Sequence, residues 1–285
     1  VDPLQIAVCA QHNNGGLEVD CWWTTPLPGL FAVGEVAAAH GVYRPGGASL
    51  NSGQVGATRA AQFIARWRRE PPVDASTFAR CAIPFVAKAV GLLEAAAQRY
   101  RAGQPDNTAT IVQEAGALMS THAGLVRSPE SIAEAFDLTR QRLQGYDRQV
   151  SADPASRRSI DRIFLGHDIL TSQYVYLAAM ADYLEHGGHS RGSVLYRDPG
   201  GRLPTAGGID LPLGEEFRFT VDEGALDGVT QIATWQGEQG LPTFDWRPVR
   251  PIPTTQASFE RVWQAHRENV ALDNSISSIQ VNPDY

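Results

Sequence analysis

The sequence predicts a mixed, α+β chain: an α/β segment over 1–72, an α-helical bundle over 76–190, and a mixed strand and loop extension over 191–285. Three observations predict it. A stretch rich in glycine, valine and alanine opens the chain and carries short apolar runs between turn residues. Long helical patterns then follow one another with no strand pattern between them. After Gly187-Gly188, short β-like runs alternate with proline turns.

The elements follow in order. Gly15-Gly16 before Leu17-Glu18-Val19-Asp20 predicts a turn and an alternating strand. Leu30-Phe31-Ala32-Val33-Gly34, between Pro28-Gly29 and Glu35, has the pattern of a strand buried on both faces. Residues 45–50 read as a glycine-bearing loop, and 52–69 as a helix with Val55, Ala61 and Ile64 among its apolar positions. Arg66, Arg68 and Arg69 favour its negative end, and Glu70-Pro71-Pro72 stops it. Helices are predicted over 83–101, 110–125, 131–150 and 159–185. Ser128-Pro129-Glu130 opens the third with a capping hydroxyl, a first-turn proline and an acid. Gly187-Gly188 ends the last. In the extension, 217–221 and 229–235 read as strands, and 258–269 as an amphipathic helix. The prolines of 246–253 force an extended backbone on the residues before them.

At 285 residues the chain is long enough for about two domains of roughly 150 residues. With 43% hydrophobic and 19% charged residues it can build a core, which excludes disorder as the overall state. A net charge of −7 argues against a nucleic-acid or anionic-membrane partner. Cys9, Cys21 and Cys81 are widely spaced with no Cys-x-x-Cys, which disfavours a disulfide framework or thiolate zinc site and fits a reducing, cytoplasmic location. No unbroken run of about 18 apolar residues occurs, so no membrane span is expected. His122, His167, His186 and His189 lie in or beside helices without metal-ligand spacing, and no metal site is expected.

The chemistry concentrates between Thr25 and Leu50. A buried strand ending in Gly34-Glu35 is followed by His40-Gly41-Val42-Tyr43-Arg44-Pro45-Gly46-Gly47-Ala48-Ser49-Leu50, a glycine turn that opens a helix. Ligands of open α/β sheets bind beyond the carboxyl ends of strands. A helix start presents peptide N–H groups and a partial positive charge. Glycines let a flat or phosphorylated ligand approach the backbone. Glu35 suits ligand hydroxyls, and Arg44 suits a carboxylate or a reduced ring. Trp22-Trp23 reads as core packing, with a cover over the site as the alternative.

This segment closely resembles the C-terminal part of the FAD-binding domain in flavoproteins of the succinate dehydrogenase, fumarate reductase and L-aspartate oxidase family. That family reads T-x-I-P-G-L-Y-A-A-G-E and then H-G-A-N-R-L-G-G-N-S-L, in the order and spacing found here. The resemblance implies that Gly34, Glu35, Gly46, Gly47, Ser49 and Leu50 line FAD and that Arg44 faces substrate. Pro45 and Ala48 depart from the pattern, where the family has Leu and Asn. Weaker similarity continues through 119–127 and through Ser190-Arg191-Gly192 and Tyr196-Arg197-Asp198-Pro199, where Arg191 and Arg197 read as ties to the catalytic domain. It covers residues 5 to about 200 and leaves the last 85 unplaced.

The family's H-Y-x-M-G-G, whose His holds a substrate carboxylate, is replaced by Gln11-His12-Asn13-Asn14-Gly15-Gly16. Gln11 stands in the His position and His12 one place later, on the other face of an extended segment. Either Gln11 reads a polar, less anionic substrate, or a bulge brings His12 in. The pattern resembles a branch of the family whose substrate is unknown.

An FAD enzyme of this kind needs a G-x-G-x-x-G turn, and these residues contain none. With the absent starting Met, the chain reads as the C-terminal portion of a longer flavoprotein. The activity implied is hydride transfer between flavin and a small organic substrate, with the chain inactive without an N-terminal FAD-binding half. The other partners implied are the substrate itself and a second copy of the chain, through strand edges left open. The rival reading is a non-catalytic assembly module, or a subunit of a split flavoprotein.

Overall fold

The computed structural model describes residues 15–38, 47–67, 71–192, 194–237 and 240–249. They divide into two compact units, with residues up to 71 in the first and 72–249 in the second.

In the first unit the chain is shaped by turns more than by a sheet. Asp20 Oδ1 accepts the N–H groups of Trp22 (2.8 Å) and Thr24 (3.0 Å), closing a tight turn. Thr24 and Phe31 form an antiparallel bridge, and Leu17 and Ala37 a parallel one. The expected strands at 17–20 and 30–34 are thus reduced to single rungs. A strand buried on both faces needs a partner along each edge, and the described residues supply no more than these contacts. At Gly34 the chain enters a 3₁₀ turn, Gly34–Val36. Helix α1, Ala48–Trp67, starts four residues earlier than the sequence pattern, at the glycine turn itself. Its inner face meets an aromatic cluster: Phe63 lies 6.1 Å from Trp22 and 5.9 Å from Phe31, ring centre to ring centre.

The second unit is a helical bundle with a β-rich extension. Helix α2, Ala75–Arg101, begins well before the expected 83. Asp74 caps it, accepting the N–H groups of Ser76 and Thr77 at 3.0 Å each, so Pro84 sits inside the helix rather than at its start. With a mean hydropathy of 1.3 over 18 residues, α2 is long and apolar enough to cross a membrane by length and composition alone. Arg80 and Lys88 interrupt the run and hide it from a search for unbroken apolar sequence.

Helices α3 (Thr108–His122), α4 (Pro129–Gln149) and α5 (Arg157–Glu185) complete the bundle. The Ser128 cap is reciprocal: Ser131 N–H donates to Ser128 Oγ (3.1 Å) and Ser128 N–H to Ser131 Oγ (3.0 Å). One core cluster joins Ala96, Ala115, Tyr146, Val150, Ile163 and Leu170, and a second joins Leu118, Ile132, Ala135 and Leu177. Burying each of the large aliphatic side chains contributes about 1.5–3 kcal/mol. Tyr146 threads its hydroxyl to Ile163 O at 2.5 Å, and burial, with Asp168 nearby, pushes its pKa up to about 12. Asp106 stands between α2 and α3. Partial burial opposes its charge, but bonds from Ser159, the Asp153 N–H and Thr108 prevail and bring it down to about 2.

The extension packs on this bundle. Strand β1, Val126–Arg127, pairs in parallel with β2, Leu195–Arg202, beginning Val126 to Leu195. A short hairpin, β3 (Thr205–Ala206) and β4 (Ile209–Asp210), follows. The expected strand at 217–221 is instead a 3₁₀ turn, Glu215–Phe217, and then isolated bridges from Phe219 and Val221. Strands β5 (Val229–Thr234) and β6 (Thr243–Pro248) form an antiparallel hairpin. Asp182 of α5 fixes it, accepting Gln231 Nε2–H (2.7 Å) and Trp246 Nε1–H (2.9 Å). The expected helix over 258–269 lies outside the described residues.

Candidate functional site

Five of the expected site residues are described: Gly34, Glu35, Gly47, Ser49 and Leu50. Gln11, His12, Arg44 and Gly46 lie outside the described residues, as does His40. The described five fall on two pieces of backbone, the Gly34–Val36 turn and the start of α1.

These two pieces meet. A Cβ placed on Gly53 would lie 3.4 Å from the Cα of Gly34, so the second turn of α1 rests on the head of the 3₁₀ turn. Ser49 stands four residues before Gly53 and shares its helix face. The junction shown is thus that of Gly34 with Gly53, one turn along α1 from Ser49. Glu35 is exposed, Ser49 half-buried, and Leu50 points outward at 75% exposure.

The backbone at this junction suits a flat ligand. Gly34 has φ +73°, a conformation that favours glycine, and nothing lies within 4 Å of where its Cβ would be. Gly47 is equally open on that side. The first hydrogen bond of α1 runs from Asn51 N–H to Gly47 O at 3.0 Å, so the N–H groups of Ala48, Ser49 and Leu50 come before the helical ladder begins. No acidic side chain stands in that first turn to offset the positive end of the dipole. Open glycine backbone beside a helix start of this kind fits an electron-rich ring or a phosphate.

Gly53 and Gly56 escape sequence reasoning. A Cβ on Gly56 would meet the Trp23 indole at 2.5 Å, so both glycines permit close approach. Their i, i+3 spacing on one helix face is the available signal. Trp22 is buried against Phe63, in keeping with a core role. Arg191 pairs with Asp227 (2.8 Å) and Asp222 (3.7 Å) of its own unit, and so ties the segment after α5 locally. Among the described residues no group of three or more His, Cys, Asp or Glu side chains is placed to hold a metal.

Comparison with known proteins places the chain among flavoprotein-like sequences and folds. Residues 4–50 match the model of the FAD binding domain family. The fumarate reductase flavoprotein subunit of Haemophilus influenzae is 28% identical over 203 residues, covering 69% of this chain and 33% of that protein. The L-aspartate oxidase of Streptomyces coelicolor is 31% identical over 138 residues, covering 48% of this chain and 22% of that protein. The chain thus spans about a third of the length of these relatives or less. A mutant quinol fumarate reductase of E. coli superimposes with a TM-score of 0.60 at 21% identity, covering 87% of this chain and 38% of that one. Such coverage exceeds what residues 1–200 could supply, so the likeness of fold reaches into the extension that sequence resemblance left unplaced. The chain is thus similar to flavoproteins of the succinate dehydrogenase and fumarate reductase kind, and its match to an FAD binding domain indicates FAD as the cofactor.

Proposed function

We propose that this chain supplies one wall of the FAD site in an oxidoreductase that exchanges a hydride with a small organic substrate. The observation that carries the reading is the junction of Gly34 with α1, where open glycine backbone stands beside a helix start with no acidic side chain in its first turn. When bound, FAD supplies the two-electron chemistry. The residues of this chain hold and tune it. Peptide donors of Ala48, Ser49 and Leu50 favour negative charge at the ring, Gly34 and Gly47 give it room, and Glu35 accepts hydrogen bonds from ligand hydroxyls. Arg44, with Gln11 or His12, holds the substrate. Replacing a cationic His by Gln11 weakens anion binding, which favours a substrate with less charge than a dicarboxylate.

The test is titration of FAD into the natural protein that carries these residues, followed by its visible spectrum. The reading expects a shifted, stoichiometric flavin spectrum, and Gly34→Val removing it. Failure of the natural protein to bind FAD overturns the reading.

A second reading, an assembly module, is favoured by one observation. The first half of α2 exposes Phe78, Ile83, Phe85 and Val86. It expects a stable complex with a co-expressed partner in size-exclusion chromatography and no yellow colour.

A further inference from the structure

The strain in the first unit falls on a tryptophan. Trp23 has φ +60°, and no other non-glycine residue among those described has a positive φ. That conformation is costly for any side chain with a Cβ, and more so for a bulky one. The backbone around it is closed. Trp23 N–H donates to Asp20 O (3.1 Å), and Ala32 N–H donates to Trp23 O (3.2 Å). These bonds explain why the chain turns here, but they ask for glycine or asparagine, not tryptophan.

The indole explains the choice. It lies against α1 at Gly56, where a Cβ would stand 2.5 Å from Nε1 and 2.6 Å from Cε2. One step along the same face, Gly53 rests on Gly34. The next turn is pinned by Arg59, whose Nε–H donates to Cys21 O (2.7 Å) and whose guanidinium lies 4.3 Å above the Trp22 ring. One face of α1, read through 53, 56, 59 and 63, is therefore seated on 21–23 and 31–34. A rigid ring wedged at Gly56 opposes sliding of the helix along its axis.

We propose that Trp23 is a positioning residue: its strained turn sets the seat of α1 against Gly34, and with it the place of the peptide donors of Ala48, Ser49 and Leu50. The proposal rests on the flavin reading for its functional meaning, and on the Trp23–Gly56 contact for its structure.

The experiment compares Trp23→Gly, Trp23→Phe, Gly56→Ala and the double variant Trp23→Gly/Gly56→Ala in the natural protein. Two properties are read, amide hydrogen exchange over 48–52 and the reduction potential of bound FAD. Trp23→Gly relieves the backbone, so a merely structural tryptophan would leave both unchanged or slow the exchange. A positioning Trp23 predicts exchange about tenfold faster over 48–52 with a displaced potential, and recovery of most of both in Trp23→Phe. Gly56→Ala, which forces a methyl into the indole, moves the same two readings, and removing the indole in the double variant brings them back toward those of Trp23→Gly. Unchanged exchange in Trp23→Gly, or additive effects in the double variant, overturns the proposal. If the unaltered protein binds no FAD, the flavin reading fails, while the exchange comparison still decides whether Trp23 seats α1.

Discussion

The two units owe their internal order to different forces. The bundle of 72–249 buries whole aliphatic side chains, with Ile132, Ile163, Leu170 and Leu177 removed from solvent, and caps its helices with their own hydroxyls and carboxylates. The described residues of 15–67 have Trp22, Ala32, Ala37 and Ala60 as their buried apolar side chains, and two isolated bridges where a sheet would run. The bundle is ordered by what it buries. The first segment is ordered by turns, aromatic contacts and glycine clearances, and leaves Gly47 and Leu50 exposed. Fold stability and the proposed cofactor contacts thus fall on different stretches of the chain.

The largest expected effect lies in the bundle. Leu170→Ala should lower the stability of the second unit by about 2–5 kcal/mol in urea unfolding, because it opens a cavity in a closed core. Phe63→Ala, a larger truncation in the half-buried cluster of α1, should cost less globally and instead speed hydrogen exchange within 15–67. Equal global losses would erase the contrast between the units. Tyr146→Phe should cost about 1 kcal/mol, since it removes a buried hydrogen bond between the hydroxyl and the Ile163 carbonyl.

Asp106 gives a smaller, pH-dependent signature. Its folded pKa of about 2 lies below the ordinary 3.8, so the fold favours the carboxylate. That contribution is complete above about pH 4 and is lost as the pH falls through about 2. Asp106→Asn should flatten the stability profile of the bundle over that window, measured by acid titration of far-UV circular dichroism.

The bundle is the more legible half. Ser128-Pro129 marks the start of α4 and Gly187 the end of α5, because caps are local chemistry. The start of α2 is hidden because Pro84 looks like a first-turn proline, whereas the Asp74 cap lies ten residues earlier. The run at 30–34 promises more strand than the fold makes: its apolar residues are real, but a strand also requires rungs from distant residues. At the site, the Gly34–Glu35 and Gly47–Leu50 stretches are visible as motifs. The seating of α1 is not, because Trp23 in a left-handed turn has no local sequence signature, and Gly53 and Gly56 show their purpose only once the helix is packed.

The central claim is that peptide nitrogens at the start of α1, rather than side chains, stabilise the reduced flavin. The reduction potential of bound FAD in Ala48→Pro, set beside Ala48→Ser, tests it most directly. Proline is accommodated at the first helical position and removes one N–H, whereas serine keeps it. Loss of one such donor, worth about 1.4 kcal/mol, should lower the potential of Ala48→Pro by about 30 mV and leave Ala48→Ser near the unaltered protein. Equal potentials in the proline variant and the unaltered protein would contradict the account.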